Sequence, residues 1–225
     1  VNAPVSSRLM YNVRHSIVYM VARMLPGGKV VDVSASETVN IDFNAKGVGC
    51  GCSLGVDSFC SLLRHTESSV PQEYRVTHLV LGNVGHFGEN KLKNAEADFR
   101  RNVEEIKPFA SEIGLPLLAV NSNIGDVSLD YNVGLLQSFV QRTIAIALAL
   151  QKLLGKYIFA SSYVFDKVYY STDDVSHAET VLLPLLNTES TEMILSDAVW
   201  SRVRKTEYIS RFALTWRYLD VFWAA

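Results

Sequence analysis

This chain lacks a hydrophobic segment of membrane-spanning length. The longest apolar-leaning stretch in its 225 residues covers positions 144–154 and is interrupted by Gln151 and Lys152. A helix that crosses a bilayer needs about 20 apolar residues, so we expect no membrane association. The sequence also does not open with a charged segment followed by an apolar one, which is the pattern of a secretory signal. We therefore expect a cytoplasmic location.

Cysteine is scarce as well. Only Cys50, Cys52 and Cys60 are present, all within one short stretch. An odd number of cysteines argues against a disulfide scaffold, and the C-x-x-C spacing of many metal sites is absent. Because free cysteine packs like a small hydrophobe, we predict three reduced core residues, with a reactive or metal-binding role as the alternative.

An excess of charge of one sign is also missing. The chain has 21 Lys and Arg against 23 Asp and Glu, a net charge of −2. Without a positive field there is no strong nucleic-acid signal, and sequence-independent binding to a phosphate backbone is not expected. What the chain does have is apolar residues, 48% of the total. That content is enough for a large buried core.

Residues 1–45 are predicted to form a small N-terminal α/β extension. Apolar residues recur with a helical period across 6–25, and Pro26 with the two glycines after it ends that helix. The runs 30–33 and 39–43 are short and rich in β-branched residues. We expect them to form a hairpin or two edge strands.

From residue 46 onward, apolar strands alternate with longer helical stretches. This alternation is typical of an α/β fold with a mostly parallel sheet and helices on both faces. The sequence predicts one domain over 46–225. The five predicted strands are 47–52, 76–82, 115–120, 157–161 and 216–222, and the predicted helices are 57–66, 94–113, 135–154 and 204–212.

A loop of small and polar residues follows the first of these strands and precedes a helix. Free backbone N–H groups at a helix N-terminus attract anions, so this arrangement predicts a phosphate site. Two serine hydroxyls add donors, and Asp57 is a candidate ligand for Mg²⁺. The alternative is a plain helix cap, a common role for Ser and Asp. The loop reads Ser53-Leu54-Gly55-Val56-Asp57-Ser58.

This loop resembles the S-G-G-x-D-S loop of the PP-loop ATP pyrophosphatase superfamily. Five positions fit, and at the second position Leu54 stands in place of glycine. The resemblance implies further binding residues after the second and fourth strands, facing adenine and phosphates respectively: Leu81, Gly82, Asn83, Ser161 and Ser162. Near the C-terminus, the segment with Arg202 and Lys205 resembles a region of 7-cyano-7-deazaguanine synthases and tRNA thiolases. Lys205 is then the phosphate-binding lysine.

The resemblance implies an ATP-dependent enzyme that uses Mg²⁺. Such enzymes adenylate a carboxylate or amide acceptor, release pyrophosphate, and let a nitrogen or sulfur nucleophile displace AMP. The implied catalytic residues are Asp57, Arg202 and Lys205. The implied partner is a small-molecule or peptide acceptor, and the oligomeric state stays open, with a homodimer among the options.

Two departures from the superfamily pattern favour other interpretations. If the second position of the loop requires φ > 0, Leu54 is strained by about 1–2 kcal/mol, which favours a non-catalytic nucleotide-binding or regulatory module. No cysteine follows Cys60, so zinc is expected only through a segment beyond Ala225, into which we expect the natural chain to continue. A tRNA thiolation enzyme is a third option, although the catalytic cysteine pair and basic extension expected of one are not visible.

The remaining candidates carry weaker signals. Arg142 is predicted to be exposed or ion-paired rather than to reach a ligand, and His177 is balanced between a site role and a structural one. The other histidines are predicted to have ordinary surface or core roles. They are His15, His65, His78 and His86.

Overall fold

One long helix and a two-stranded sheet make up the N-terminal part of this computed structural model, which describes residues 1–85 and 95–220. Strand β1 (Pro4–Ser6) leads into α1 (Ser7–Asn12), a π-helical turn (Val13–Ile17) and α2 (Val18–Met24) without a break. Strand β2 (Glu37–Val39) pairs with β1 in parallel. The runs 30–33 and 39–43, predicted to form a hairpin or two edge strands, are not in strands except for Val39, so that prediction is wrong. Parallel neighbours need a long connection, and here the helix supplies it.

A five-stranded parallel sheet forms the centre of the main fold, as predicted. Its strands stand in the order β5-β4-β3-β6-β7, and every neighbouring pair is parallel. They are β3 (Gly47–Gly51), β4 (His78–Gly82), β5 (Leu117–Val120), β6 (Leu154–Ala160) and β7 (Glu192–Ser196). The α/β class with its small N-terminal extension is confirmed.

Seven further helices surround this sheet within the described residues. They are α3 (Val56–Arg64), α4 (Ala95–Ile113), α5 (Ile124–Asp130), α6 (Phe139–Ala149), α7 (Glu179–Leu185), α8 (Arg202–Ile209) and α9 (Ala213–Tyr218). Helix α6 is shorter than predicted because Leu154 already belongs to β6. Helix α8 begins earlier than predicted because Ser201 caps it, its hydroxyl accepting from the N–H of Arg204.

The predicted fifth strand, 216–222, is wrong. Leu214 and Tyr218 lie four residues apart and both pack against the same core, which is helical spacing, and this segment contributes to α9. The fifth strand is instead β7, beside β6. Residues 94, 221 and 222 of the predicted elements, and His86, lie outside the described residues.

Apolar side chains cover both faces of the sheet. On β4, Leu79 and Leu81 join the core formed with α3, α4 and α8, whereas Val80 joins the core on the other face. This alternation is that of a strand buried on both sides. Met20 and Met24 of the N-terminal helix pack into the second core. No helix in the described ranges is long and apolar enough to cross a membrane.

The strand order fixes where a ligand would bind. From β3 the chain adds β4 and β5 on one side, then crosses to add β6 and β7 on the other. In open parallel sheets the crevice at such a reversal, at the carboxyl ends of the strands, is the usual ligand site. Here the order reverses between β3 and β6, so a ligand is expected at the carboxyl ends of these two strands.

Candidate functional site

The loop after β3 makes a tight turn into α3. Leu54 has a φ of +56°, a left-handed conformation that glycine adopts freely and leucine rarely. Its side chain is nevertheless buried in the core. The Oγ atoms of Ser53 and Ser58 lie 3.1 Å apart, and the Ser58 hydroxyl donates to the Gly55 carbonyl at 3.0 Å.

The N-terminus of α3 offers free donors. Gly55 is the N-cap and supplies no side-chain acceptor. Among the described residues no group accepts from the backbone N–H of Val56, Asp57 or Ser58. With the helix dipole, these N–H groups form the anion-attracting geometry expected from the sequence.

Lys205 joins three parts of the chain at this point. Its side chain is only 2% exposed, and its Nζ donates to Asp57 Oδ1 at 3.0 Å. The same Nζ donates to the carbonyl and the hydroxyl of Ser161, at 2.6 and 2.9 Å. An ammonium group has three donors, so all three have acceptors. The structure thus brings together α3, α8 and the carboxyl end of β6.

Arg202 completes the charge cluster. Its Nη2 lies 2.7 Å from Asp57 Oδ2, and its side chain is 66% exposed. Each oxygen of Asp57 therefore faces one cation. One cluster thus contains predicted residues from three distant segments of the chain. They are Asp57, Ser161 and the pair Arg202 and Lys205.

Glu179 is a member of this cluster that the sequence did not reveal. It is 1% exposed, and its Oε1 accepts from the N–H groups of Ser162 and Tyr163 at 2.9 and 3.4 Å. Burial raises the pKa of Glu179 to about 8, while its bonds to these amides and the charge of Lys205 act in the opposite direction. The one signal in the sequence was an acidic residue at the start of an apolar helix.

The predicted adenine-facing segment lies at the end of β4. Leu81 is buried in the core, so only its backbone remains for a ligand. Asn83 Nδ2 donates to Asn121 Oδ1 at 2.9 Å, and Ser122 donates to the Asn83 carbonyl. Asn83 thus ties this turn to the loop after β5. Among the described residues, the hydrogen bonds of its side chain, to Asn121 and from the N–H of Gly85, are structural.

Arg142 is buried and forms no ion pair with any of the described residues, contrary to the prediction. It is 3% exposed and donates to the hydroxyl of Ser138 and to the carbonyls of Val84 and Val133. Burial lowers its pKa. The guanidinium therefore fastens the loop after β4 to the start of α6.

His177 packs between two tyrosines. Its ring stacks on Tyr163 with centroids 3.7 Å apart, and its Nε2 lies 2.9 Å from the Tyr169 hydroxyl. The Tyr163 hydroxyl in turn donates to Asp174. These contacts order the segment between β6 and α7, which borders the charge cluster through Ser162.

The three cysteines are buried, as predicted. Burial raises the pKa of all three thiols, to about 12 for Cys52 and Cys60. Thiolates are the reactive and metal-binding form of cysteine, so these thiols are poor nucleophiles and poor ligands. Within the described residues no group of three or more histidine, cysteine or acidic side chains is arranged to hold a metal ion.

The chain was compared with protein-family models, with curated proteins and with solved structures, and none of the three gives a match. The geometry of this site is therefore the basis for a functional proposal.

The two properties of Leu54, its strain and its burial, can be measured separately. Replacing Leu54 by alanine removes the side chain but keeps a Cβ at positive φ, whereas glycine removes both. We expect both variants to be less stable than wild type, since a buried leucine is lost, at a cost of about 2–4 kcal/mol. Leu54→Gly should be more stable than Leu54→Ala by about 1 kcal/mol, the strain of the left-handed conformation.

Urea denaturation gives both differences directly. Equal stabilities of the alanine and glycine variants would contradict the strain at this position. The Mg·ATP site that the sequence predicts allows a second measurement on the same proteins, by titration with that ligand. Because Leu54 already has left-handed φ, the prediction is that the glycine variant has an affinity within about threefold of wild type.

Proposed function

We propose that the protein binds Mg·ATP in the crevice between β3 and β6 and cleaves it between the α and β phosphates. The observation that carries this proposal is Lys205. A buried ammonium group lies at the carboxyl ends of two parallel strands, beside the free N-terminus of a helix. Burying a charge is costly, and a site that must hold phosphate is a physical reason to keep one there.

The charge of the cluster suits a phosphate ligand. Arg202 and Lys205 carry two positive charges against the single negative charge of Asp57. Arg202 is largely exposed, so it is free to turn from Asp57 toward a ligand. The N–H groups at the start of α3 add partial positive charge on the same side. These groups together favour a strongly charged anion such as the β and γ phosphates.

In the proposed reaction an oxygen of a carboxylate or amide acceptor attacks the α-phosphorus. The bond from that phosphorus to the bridging oxygen breaks, and the electron pair leaves with pyrophosphate. A nitrogen or sulfur nucleophile then attacks the activated carbon, and AMP leaves with the electron pair of the carbon–oxygen bond. Lys205, Arg202 and the α3 amides stabilise the departing pyrophosphate, and no side chain acts as nucleophile.

Asp57 fits the role of a magnesium ligand. Each of its oxygens accepts one hydrogen bond from a cation, which leaves lone pairs for a metal. Its side chain is 22% exposed and so is accessible. Mg²⁺ often takes one or two carboxylates and completes its shell with phosphate oxygens and water. When bound, Mg²⁺ neutralises charge on the phosphates.

A second candidate function is a nucleotide-binding module without turnover. Leu54 favours it, because a strained, β-carbon-bearing residue stands where the superfamily has glycine. The full use of the Lys205 donors within the protein also favours it. Thiolation of tRNA gains no such support, since the cysteines are buried and their thiols are held protonated.

A product assay separates these functions. With ATP, Mg²⁺, a panel of carboxylic acids and either ammonium or a sulfide donor, we expect pyrophosphate and AMP in equal amounts. Chelation of Mg²⁺ should abolish both products. Release of phosphate and ADP would contradict the proposal, whereas tight binding of Mg·ATP without any product would favour the non-catalytic module.

A further inference from the structure

Glu179 and Lys205 hold consecutive residues of one turn. Lys205 donates to the carbonyl and hydroxyl of Ser161, and Glu179 accepts from the next two N–H groups, those of Ser162 and Tyr163. Glu179 begins α7 and Lys205 belongs to α8, so the turn after β6 is fixed from two separate helices. Loss of either contact would allow the other to shift.

The second oxygen of Glu179 has no such partner. Oε2 is buried, and no group in the described part of the chain forms a hydrogen bond with it. A buried ionised oxygen without a donor is costly, and the neutral carboxylic acid avoids much of that cost. This geometry favours a protonated Glu179.

The charged neighbours of Glu179 come from two other elements. Lys205 of α8 and Asp57 of α3 both act on it, the first favouring ionisation and the second opposing it. From the turn after β6, Tyr163 contributes its backbone amide, and the pKa of its phenol is raised by burial. Because burial is the largest influence, the pKa of Glu179 rises to about 8, in agreement with the geometry.

The protonation of Glu179 sets the charge of the site. With Glu179 neutral, the cluster of Asp57, Arg202 and Lys205 has a net charge of +1. With Glu179 ionised, the net charge of the four groups is zero. A phosphate ligand would then meet an additional negative charge close to Lys205.

We propose that Glu179 is a positioning residue of the candidate site, which holds the turn at 161–163 against Lys205 and, as the neutral acid, leaves the site positive for phosphate. This inference rests on the proposed function. A purely structural Glu179 would also hold the turn, but its ionisation would not affect ligand binding. The two roles therefore differ in how binding depends on pH.

Three variants test this distinction. Glu179→Gln keeps an oxygen acceptor for the two amides but cannot ionise, and Glu179→Ala removes the acceptor. Glu192→Gln is the matched control, because Glu192 is an exposed acid at the start of β7, the opposite end of that strand from the site. The probe is Mg·ATP, titrated calorimetrically into the full chain near pH 7 and near pH 9.

We expect the wild type and Glu192→Gln to bind Mg·ATP about tenfold more weakly at the higher pH, through the added charge beside Lys205. Glu179→Gln should match the wild type near pH 7 and change by less than about twofold between the two conditions. Glu179→Ala should bind about tenfold more weakly at both, because the turn is released.

A Glu179→Gln variant with the same pH profile as the wild type would overturn the inference while leaving the proposed function intact. A wild type that does not bind Mg·ATP at either pH would overturn both.

Thermal stability gives a readout without ligand. The folded protein retains a proton on Glu179 that the unfolded chain releases above its ordinary pKa of 4.5. Stability should therefore fall as pH rises from near 5 to near 8, and less steeply in Glu179→Gln. Identical slopes would also contradict the inference.

Discussion

Replacing Lys205 by methionine is expected to reduce pyrophosphate release by roughly 100-fold or more, the size of effect seen when one preorganised charge-stabilising group is removed. Methionine has nearly the length of lysine and suits a buried position, since the Lys205 side chain is only 2% exposed. The substitution therefore removes the charge with little change in shape. Binding of Mg·ATP should weaken in parallel, because the ammonium group is the one buried cation identified at the site among the described residues.

A matched control is Lys107→Met. Lys107 lies on α4 and pairs at the surface with Glu104, so its loss removes the same charge outside the cluster. We expect the control to retain wild-type turnover and affinity. Urea denaturation of both variants shows whether a loss of activity reflects unfolding. A folded Lys205→Met protein with wild-type pyrophosphate release would contradict the role of this lysine.

Much of the sheet was predictable because its strands carry strong local signals. The segments at β3, β4 and β6 are apolar runs bounded by polar or small residues, and each is followed by a polar turn. Strand β7 was missed since Glu192–Ser196 is short and begins with a polar residue. Its burial arises from pairing with β6 and from packing of Met193 and Ile194 into the two cores, which no local pattern reveals.

The site was partly predictable for a related reason. The loop at 53–58 has a local signature, and the superfamily resemblance pointed to Lys205 and Ser161. Glu179 was missed, and so was Asp197, a buried acid after β7, because the roles of both depend on contacts with residues elsewhere in the chain. Glu179 bonds to amides at positions 162 and 163, and Asp197 to side chains of α3. An acid at the start of an apolar helix is a weak local signal at Glu179, and Asp197 does not differ in the sequence from an ordinary surface acid.

Asp197 leads to the largest expected change in stability. It follows β7 with a φ of +66°, and its side chain is 1% exposed. Its carboxylate accepts from the hydroxyls of Ser61 and Ser196 and pairs with Arg64. The guanidinium of Arg64 also lies over the ring of Trp200, 4.2 Å from its centroid. Asp197 thus fastens α3, which carries the phosphate-site loop, to the end of β7.

We expect Asp197→Ala to lower the free energy of unfolding by about 3–4 kcal/mol, because it leaves two buried hydroxyls and a partly buried guanidinium without their acceptor. Asp197→Asn should cost less, since asparagine tolerates positive φ and still accepts from the serines. Urea denaturation measures both. The control is Glu96→Ala, which removes an exposed acid that pairs with Arg100 on α4. It should lower the free energy of unfolding much less. An Asp197→Ala variant as stable as this control would show that the carboxylate does not hold α3 to the sheet. The position of the phosphate-site loop would then depend on the apolar packing of α3.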